Sequence, residues 1–143
     1  VLQSMILTDK EKMVLTPTYH VFKMYLPFQD STSLTAFLEA GKYTNNGISL
    51  PRLDVIATRG KDGKLWVSAT NIDPNEPVEI DLSVIGSPVA SVTGETLTAP
   101  KVDSINTFEK PNAVTPKPFS AKSENGKLVL KLEPKSVNVF SIN

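Results

Sequence analysis

The chain has 143 residues, 40% hydrophobic and 21% charged, a composition that supports one globular domain with its own core. Its 15 basic and 15 acidic residues cancel, so no long-range field favours nucleic acid or an anionic membrane, and neither is expected as a partner. The absence of cysteine excludes disulfides, thiolate chemistry and cysteine-ligated zinc, yet leaves the compartment open, cytoplasmic or exported.

No apolar run reaches the roughly 18 to 20 residues a bilayer span needs, and VLQSMILTDKEK lacks the features of a signal peptide. Val1 is expected to be an internal residue of a longer polypeptide. Residues 1–7, VLQSMIL, are apolar enough for a strand buried on both faces or for the end of a helix. TDKEK (8–12) reads as a charged loop, and MVL (13–15) as a short strand of the parallel kind. Thr16 and Pro17 then provide an N-cap hydroxyl and a first-turn proline, so a helix is expected from there. Tyr19, Phe22 and Leu26 form its apolar stripe, broadened by Val21, Met24, Tyr25 and Phe28, until Pro27 discourages continuation. Strand, turn and amphipathic helix make one βα unit.

Helical spacing fades after Asp30, and from Asp54 the chain reads as short strands between turn signals. DVIATR (54–59) and KLWVSATN (64–71) form a hairpin across GKDG, where Gly63 can take the positive φ of a tight turn. In PVEIDLS (77–83), Val78, Ile80 and Leu82 alternate with polar residues, the pattern of a half-buried strand. GETLTAPKVDSINTFEKPNAVTPKPF (94–119) reads as a long ordered loop with one strand near 105–109. FSAKS and KLVLKL flank Glu124-Asn125-Gly126 as a second hairpin, and SVNVFSI (136–142) supplies a closing strand. The fold class expected is mainly β, an antiparallel β-sandwich preceded by one βα unit.

Candidate chemistry is sparse. His20 is the chain's one histidine, so a two-histidine metal site is excluded; no EF-hand spacing is present, and no metal or cofactor is expected. There is no GxSxG elbow, phosphate loop or dinucleotide fingerprint. A glycosidase needs two facing carboxylates, but the acids here fall in turns, in loops or on outward strand positions, as solvated surface charge does. Trp66 stands apart: it shares a strand face with Lys64, Ser68 and Thr70, opposite Leu65, Val67 and Ala69. An aromatic ring on a polar strand face can stack on a sugar, with Tyr43 as its one evident companion, or be covered by the long loop or another domain.

VLQSMILTD followed by MVLTPTYHVFKMY resembles the end of the catalytic domain in α-L-arabinofuranosidases of glycoside hydrolase family 51. SATNIDPNEPVEIDL, the 94–119 segment and LEPKSVNVFSIN are similar to the C-terminal β-sandwich of the same enzymes; only residues 31–53 carry little of the likeness. The resemblance implies a jelly-roll-like sandwich at 31–143 and, at 1–28, the last strand and helix of a (β/α)8 catalytic barrel. The enzymes remove terminal α-L-arabinofuranosyl residues from arabinan and arabinoxylan with retention, using a glutamate nucleophile and a glutamate acid/base. Both glutamate motifs lie upstream of anything present, so no catalytic residue is carried over. The resemblance thus implies a non-catalytic domain whose partners are the missing barrel and, in the parent enzyme, arabinose-containing polysaccharide; homo-oligomerisation stays open. Substrate-binding candidates are Thr16, at the end of the final barrel strand, and Trp66. A carbohydrate-binding module working through exposed aromatics is the alternative.

Overall fold

The computed structural model describes residues 4–143. The chain opens with β1 (Ile6–Asp9), β2 (Lys12–Leu15), α1 (Pro17–Met24) and a short 3-10 turn at Leu26–Phe28. It continues through β3 (Thr32–Leu34), β4 (Lys42–Asn45), β5 (Ile48–Pro51), β6 (Leu53–Arg59), β7 (Leu65–Asn71) and β8 (Val78–Asp81). The last strands are β9 (Ser91–Leu97), β10 (Lys117–Lys122), β11 (Val129–Leu132) and β12 (Ser136–Ile142).

A six-stranded antiparallel sheet in the order β10-β9-β12-β7-β6-β3 forms the main layer. The closing strand expected at 136–142 is therefore central: β12 pairs with both β7 and β9. One face of this sheet is covered by the β8–β11 ribbon. Leu53, Val67, Val92 and Phe140 from the sheet meet Val78, Leu130 and Leu132 from the ribbon in one buried cluster. Period-2 alternation makes this core, since Val78 is buried and Ile80 half-buried while Glu79 and Asp81 are exposed.

The other face carries a second, smaller cluster of Met24, Val114, Leu97 and Val139, with Val21, Tyr25, Phe28 and Trp66 packed on it. Alternate residues of β12 thus serve two cores, Phe140 on one side and Val137 and Val139 on the other. The strand is buried on both faces because the N-terminal helix and the long loop cover what a two-layer sandwich would leave wet.

Several expectations need correction. Residues 1–7 were expected to form a strand buried on both faces or the end of a helix; residues 1–3 lie outside the described residues, and β1 is a strand exposed along its length. It pairs antiparallel with β2, which has no parallel neighbour among the described residues, and of the expected loop 8–12 only Lys10-Glu11 forms the turn, with Lys10 at φ 53°, while Thr8, Asp9 and Lys12 lie in the strands. Of the stripe expected over α1 and the turn after it, Phe22 is 63% and Leu26 54% exposed and Tyr19 half-buried, whereas the broadening residues Val21, Met24, Tyr25 and Phe28 face the sheet. Both stripes are apolar, and tertiary packing selected the second. No strand forms at 105–109, because this stretch is held by side-chain bonds to Asn106. The turn at Asn125-Gly126 is present, closed by the Glu124–Lys127 bridge, but its flanking strands part: β10 joins β9 and β11 joins β8. A turn signal fixes the reversal, not the sheet to which each arm belongs. Residues 31–53, which carry little of the family likeness, contain β3 and the β4–β5 ribbon.

Candidate functional site

Thr16 lies at the junction of β2 and α1. Its backbone is extended, and its Oγ1 accepts from the Tyr19 N–H at 3.4 Å while donating toward the Ser4 and Met5 carbonyls, each at 3.0 Å. Its own N–H donates to the Met5 carbonyl at 3.0 Å. The residue caps the helix and closes the β1–β2 ribbon onto it, two tasks that the Thr-Pro pair predisposes.

α1 is fixed to the sheet at its far end, where the Tyr25 hydroxyl bonds Ser68 Oγ at 3.0 Å in β7. Its near end is fixed by Asn106, which is 3% exposed. The Asn106 amide donates to the Leu15 carbonyl at 2.8 Å and the Val114 carbonyl at 2.9 Å, and its Oδ1 accepts from the Val114 N–H at 2.7 Å. One side chain thereby ties β2, the long loop and the second core together. Nothing in the sequence marked it, because a single asparagine among loop residues carries no spacing.

Trp66 is half-buried on β7, cross-strand from Thr58 and Ser141. It forms one wall of a shallow cleft of about 370 Å³ with Leu26, Pro27 and Gln29 from the end of the helix and Gly60, Lys61 and Asp62 from the β6–β7 turn. Thr16 is not among the lining residues, so the two candidate positions do not form one site. Tyr43 sits on the separate β4–β5 ribbon, in a different sheet from Trp66. A second open hollow of about 530 Å³ is lined by Pro74, Asn75, Pro100, Val102 and the charged residues Lys101, Asp103 and Lys135.

The charged groups hold structure. Asp73 accepts the Asn75 and Glu76 N–H groups on Oδ1, each at 3.0 Å, and pairs with Arg52 Nη2 at 2.9 Å on Oδ2. Burial alone would raise its carboxyl, but those two backbone donors and the guanidinium outweigh it and hold the group below its ordinary value. Beside it Asn71 donates to the Glu76 and Glu133 carbonyls at 3.0 Å and accepts from the Asp73 N–H at 3.1 Å. Burial and then the nearby Lys23 ammonium lower the His20 imidazole, against a smaller opposing pull from Glu95. The Thr107 hydroxyl, then its own backbone N–H, keep Glu109 below the usual carboxylate range. No group of three or more His, Asp or Glu residues able to hold a metal ion occurs among the described residues. No helix among them is long and apolar enough to cross a membrane.

The family profile of the α-L-arabinofuranosidase C-terminal domain matches residues 1–136. An intracellular exo-α-L-arabinofuranosidase of Bacteroides ovatus is 42% identical over 139 residues, covering 96% of this chain and 27% of its own length. The crystal structure of the family 51 arabinofuranosidase from Xanthomonas axonopodis pv. citri superposes with a TM-score of 0.92 at 37% identity, over 99% of this chain and 29% of that one. An arabinose complex of the Thermotoga maritima α-L-arabinofuranosidase matches with a TM-score of 0.78 at 26% identity, over 95% and 30% of the two chains. The chain thus spans less than a third of the length of these relatives. From the profile across nearly all of its length, and from a sandwich and leading helix shared with these structures, the chain belongs to the C-terminal domain family of α-L-arabinofuranosidases.

Proposed function

We propose that this chain is the C-terminal part of a retaining α-L-arabinofuranosidase and supports the catalytic barrel rather than carrying the chemistry. The whole protein releases terminal α-L-arabinofuranosyl residues from arabinan, arabinoxylan and related oligosaccharides. The Bacteroides ovatus relative is called intracellular, and the same compartment is our reading for this protein.

The observation that carries this is the exposed apolar surface of the N-terminal elements. Met5 just before β1, Ile6, Leu7 and Met13 on the β1–β2 ribbon, and Phe22 on α1 are all exposed. A two-stranded ribbon is marginal alone, and contiguous chain offering this much apolar side chain belongs at an interface. The occupant we assign is the preceding barrel. Thr16 stands at the C-terminal end of β2, the edge that faces substrate in such barrels. With its proton on a backbone carbonyl and one lone pair taken by Tyr19, its Oγ1 keeps one lone pair for a sugar hydroxyl.

The test is hydrolysis of 4-nitrophenyl α-L-arabinofuranoside by two proteins: the 143-residue chain, and the longer chain that includes the region before Val1. Turnover by the longer chain alone is the expected result. Turnover by the 143 residues, or none by either protein, overturns the proposal. Phe22→Asp in the longer chain is expected to cut its thermal stability and activity together.

A further inference from the structure

We propose that the cleft between the end of α1 and the β6–β7 turn binds a neutral saccharide, one or two sugar units long, with Trp66 as its platform. This is separate from the hydrolytic reading above, since it needs none of the barrel.

The wall chemistry is mixed in the way a sugar requires. Leu26 and Pro27 present C–H surface, and Trp66 adds an aromatic one, suited to the apolar face of a sugar ring. Polar groups stand beside them. No hydrogen bond engages the Trp66 indole N–H or the Gln29 amide among the described residues, so a donor and an amide able to give and accept are both free. Asp62 spends Oδ1 on the Lys64 N–H at 3.0 Å, leaving Oδ2 to accept from a hydroxyl.

Gly60 keeps the indole reachable. A Cβ at this position would come within 2.7 Å of Asp62 Oδ1, displacing that carboxylate, and within 3.1 Å of Trp66 Cδ1 and 3.3 Å of Nε1, covering the N–H edge. The turn itself needs no glycine there for conformation, because Gly63 holds the positive φ.

Charge argues against an anion. Lys61, the cleft's one cation, is paired with Asp30 Oδ2 at 2.8 Å, and Asp62 contributes a further negative charge. The volume, about 370 Å³, lies at the lower end of the roughly 300 to 1,000 Å³ typical of small-molecule sites.

Trp66 is the sole tryptophan, so all indole emission comes from this wall of the cleft. The 143-residue chain would be titrated with linear arabinotriose, with xylotriose and, as an anion control, with sodium phosphate. A saturable change with at least one of the two sugars, and none with phosphate, is expected. Gly60→Ala and Gln29→Ala should each raise the dissociation constant at least about tenfold while keeping the near-ultraviolet dichroism of the parent. Should Gly60→Ala fail to fold, Gln29→Ala carries the test, as its side chain makes no internal bond. No saturable response to either sugar, a response to phosphate, or equal affinity in the folded variants overturns the proposal.

Discussion

Phe119 and Phe140 lie on strands that are not neighbours, yet their rings meet at 5.5 Å, tilted by 31°. Gly94 on β9 makes this possible. It is the cross-strand partner of Phe119 in β10 and of Phe140 in β12, so both rings lean over the position where a side chain would stand. A Cβ at residue 94 would lie 2.5 Å from Phe140 Cα and overlap the Val139 carbonyl. The obstruction is backbone in the centre of a sheet and has little room to yield. Gly94→Ala is therefore expected to lower stability by at least about 2 kcal/mol in urea unfolding, the range of overpacked cores. An unchanged midpoint would mean that β9 and β12 are further apart than described.

Phe140 is fully buried in the larger core, and truncation leaves a cavity between the sheet and the β8–β11 ribbon. Phe140→Ala should cost about 3 to 5 kcal/mol. A double-mutant cycle with Phe119→Ala should show about 0.5 to 1.5 kcal/mol of coupling, the amount of an aromatic pair beyond its area. Simple additivity would show that the rings only share a neighbourhood.

Asn106 offers a sharper case, since three bonds to one amide join the long loop to β2. Asn106→Ala strands the buried Val114 N–H and two carbonyls, at a cost of about 2 to 4 kcal/mol. The loss should be local as well as global. Exchange of the Val114 amide proton should accelerate, and cleavage by protease should begin between 98 and 116. Cleavage starting in β6 or β7 instead would show that the clamp does not order the loop.

How much of this was legible in the sequence depends on the range of the physical cause. Thr16-Pro17, Gly63 and the Val78, Ile80, Leu82 alternation act within a few residues, and each produced the element it signals. Asn46-Gly47 carries the same turn signal as Asn125-Gly126, with φ values of 48° and 78°, but its flanks KYTN and ISLP lack the clean alternation that marks a strand pair. Long-range choices left no local trace. Which apolar stripe of α1 meets the sheet, and whether β10 follows β9 or β11, are settled by surfaces distant in sequence. Of the candidate site residues, Thr16 was legible as a helix cap, whereas the cleft at Trp66 depends on Leu26 and Gly60, which no spacing connects.

Stability should fall with acid in two separable steps. His20 has its native value depressed below 6.5, so the unfolded chain binds the proton first as pH drops. Its contribution is complete above about 6.5 and is lost as pH falls through the native value. Asp73 follows the same sign lower down, complete above its ordinary 3.8 and lost as pH falls below that through its depressed native value. The two can be told apart by replacement. His20→Gln should flatten the upper step in a plot of unfolding free energy against pH and leave the lower one in place. Asp73→Asn should lower stability at neutral pH, because the Arg52 pairing loses its charge, and should remove the lower step. If the acid profile of Asp73→Asn keeps the full slope below 3.8, another carboxylate governs the acid limit and the Arg52–Asp73 pair contributes packing alone.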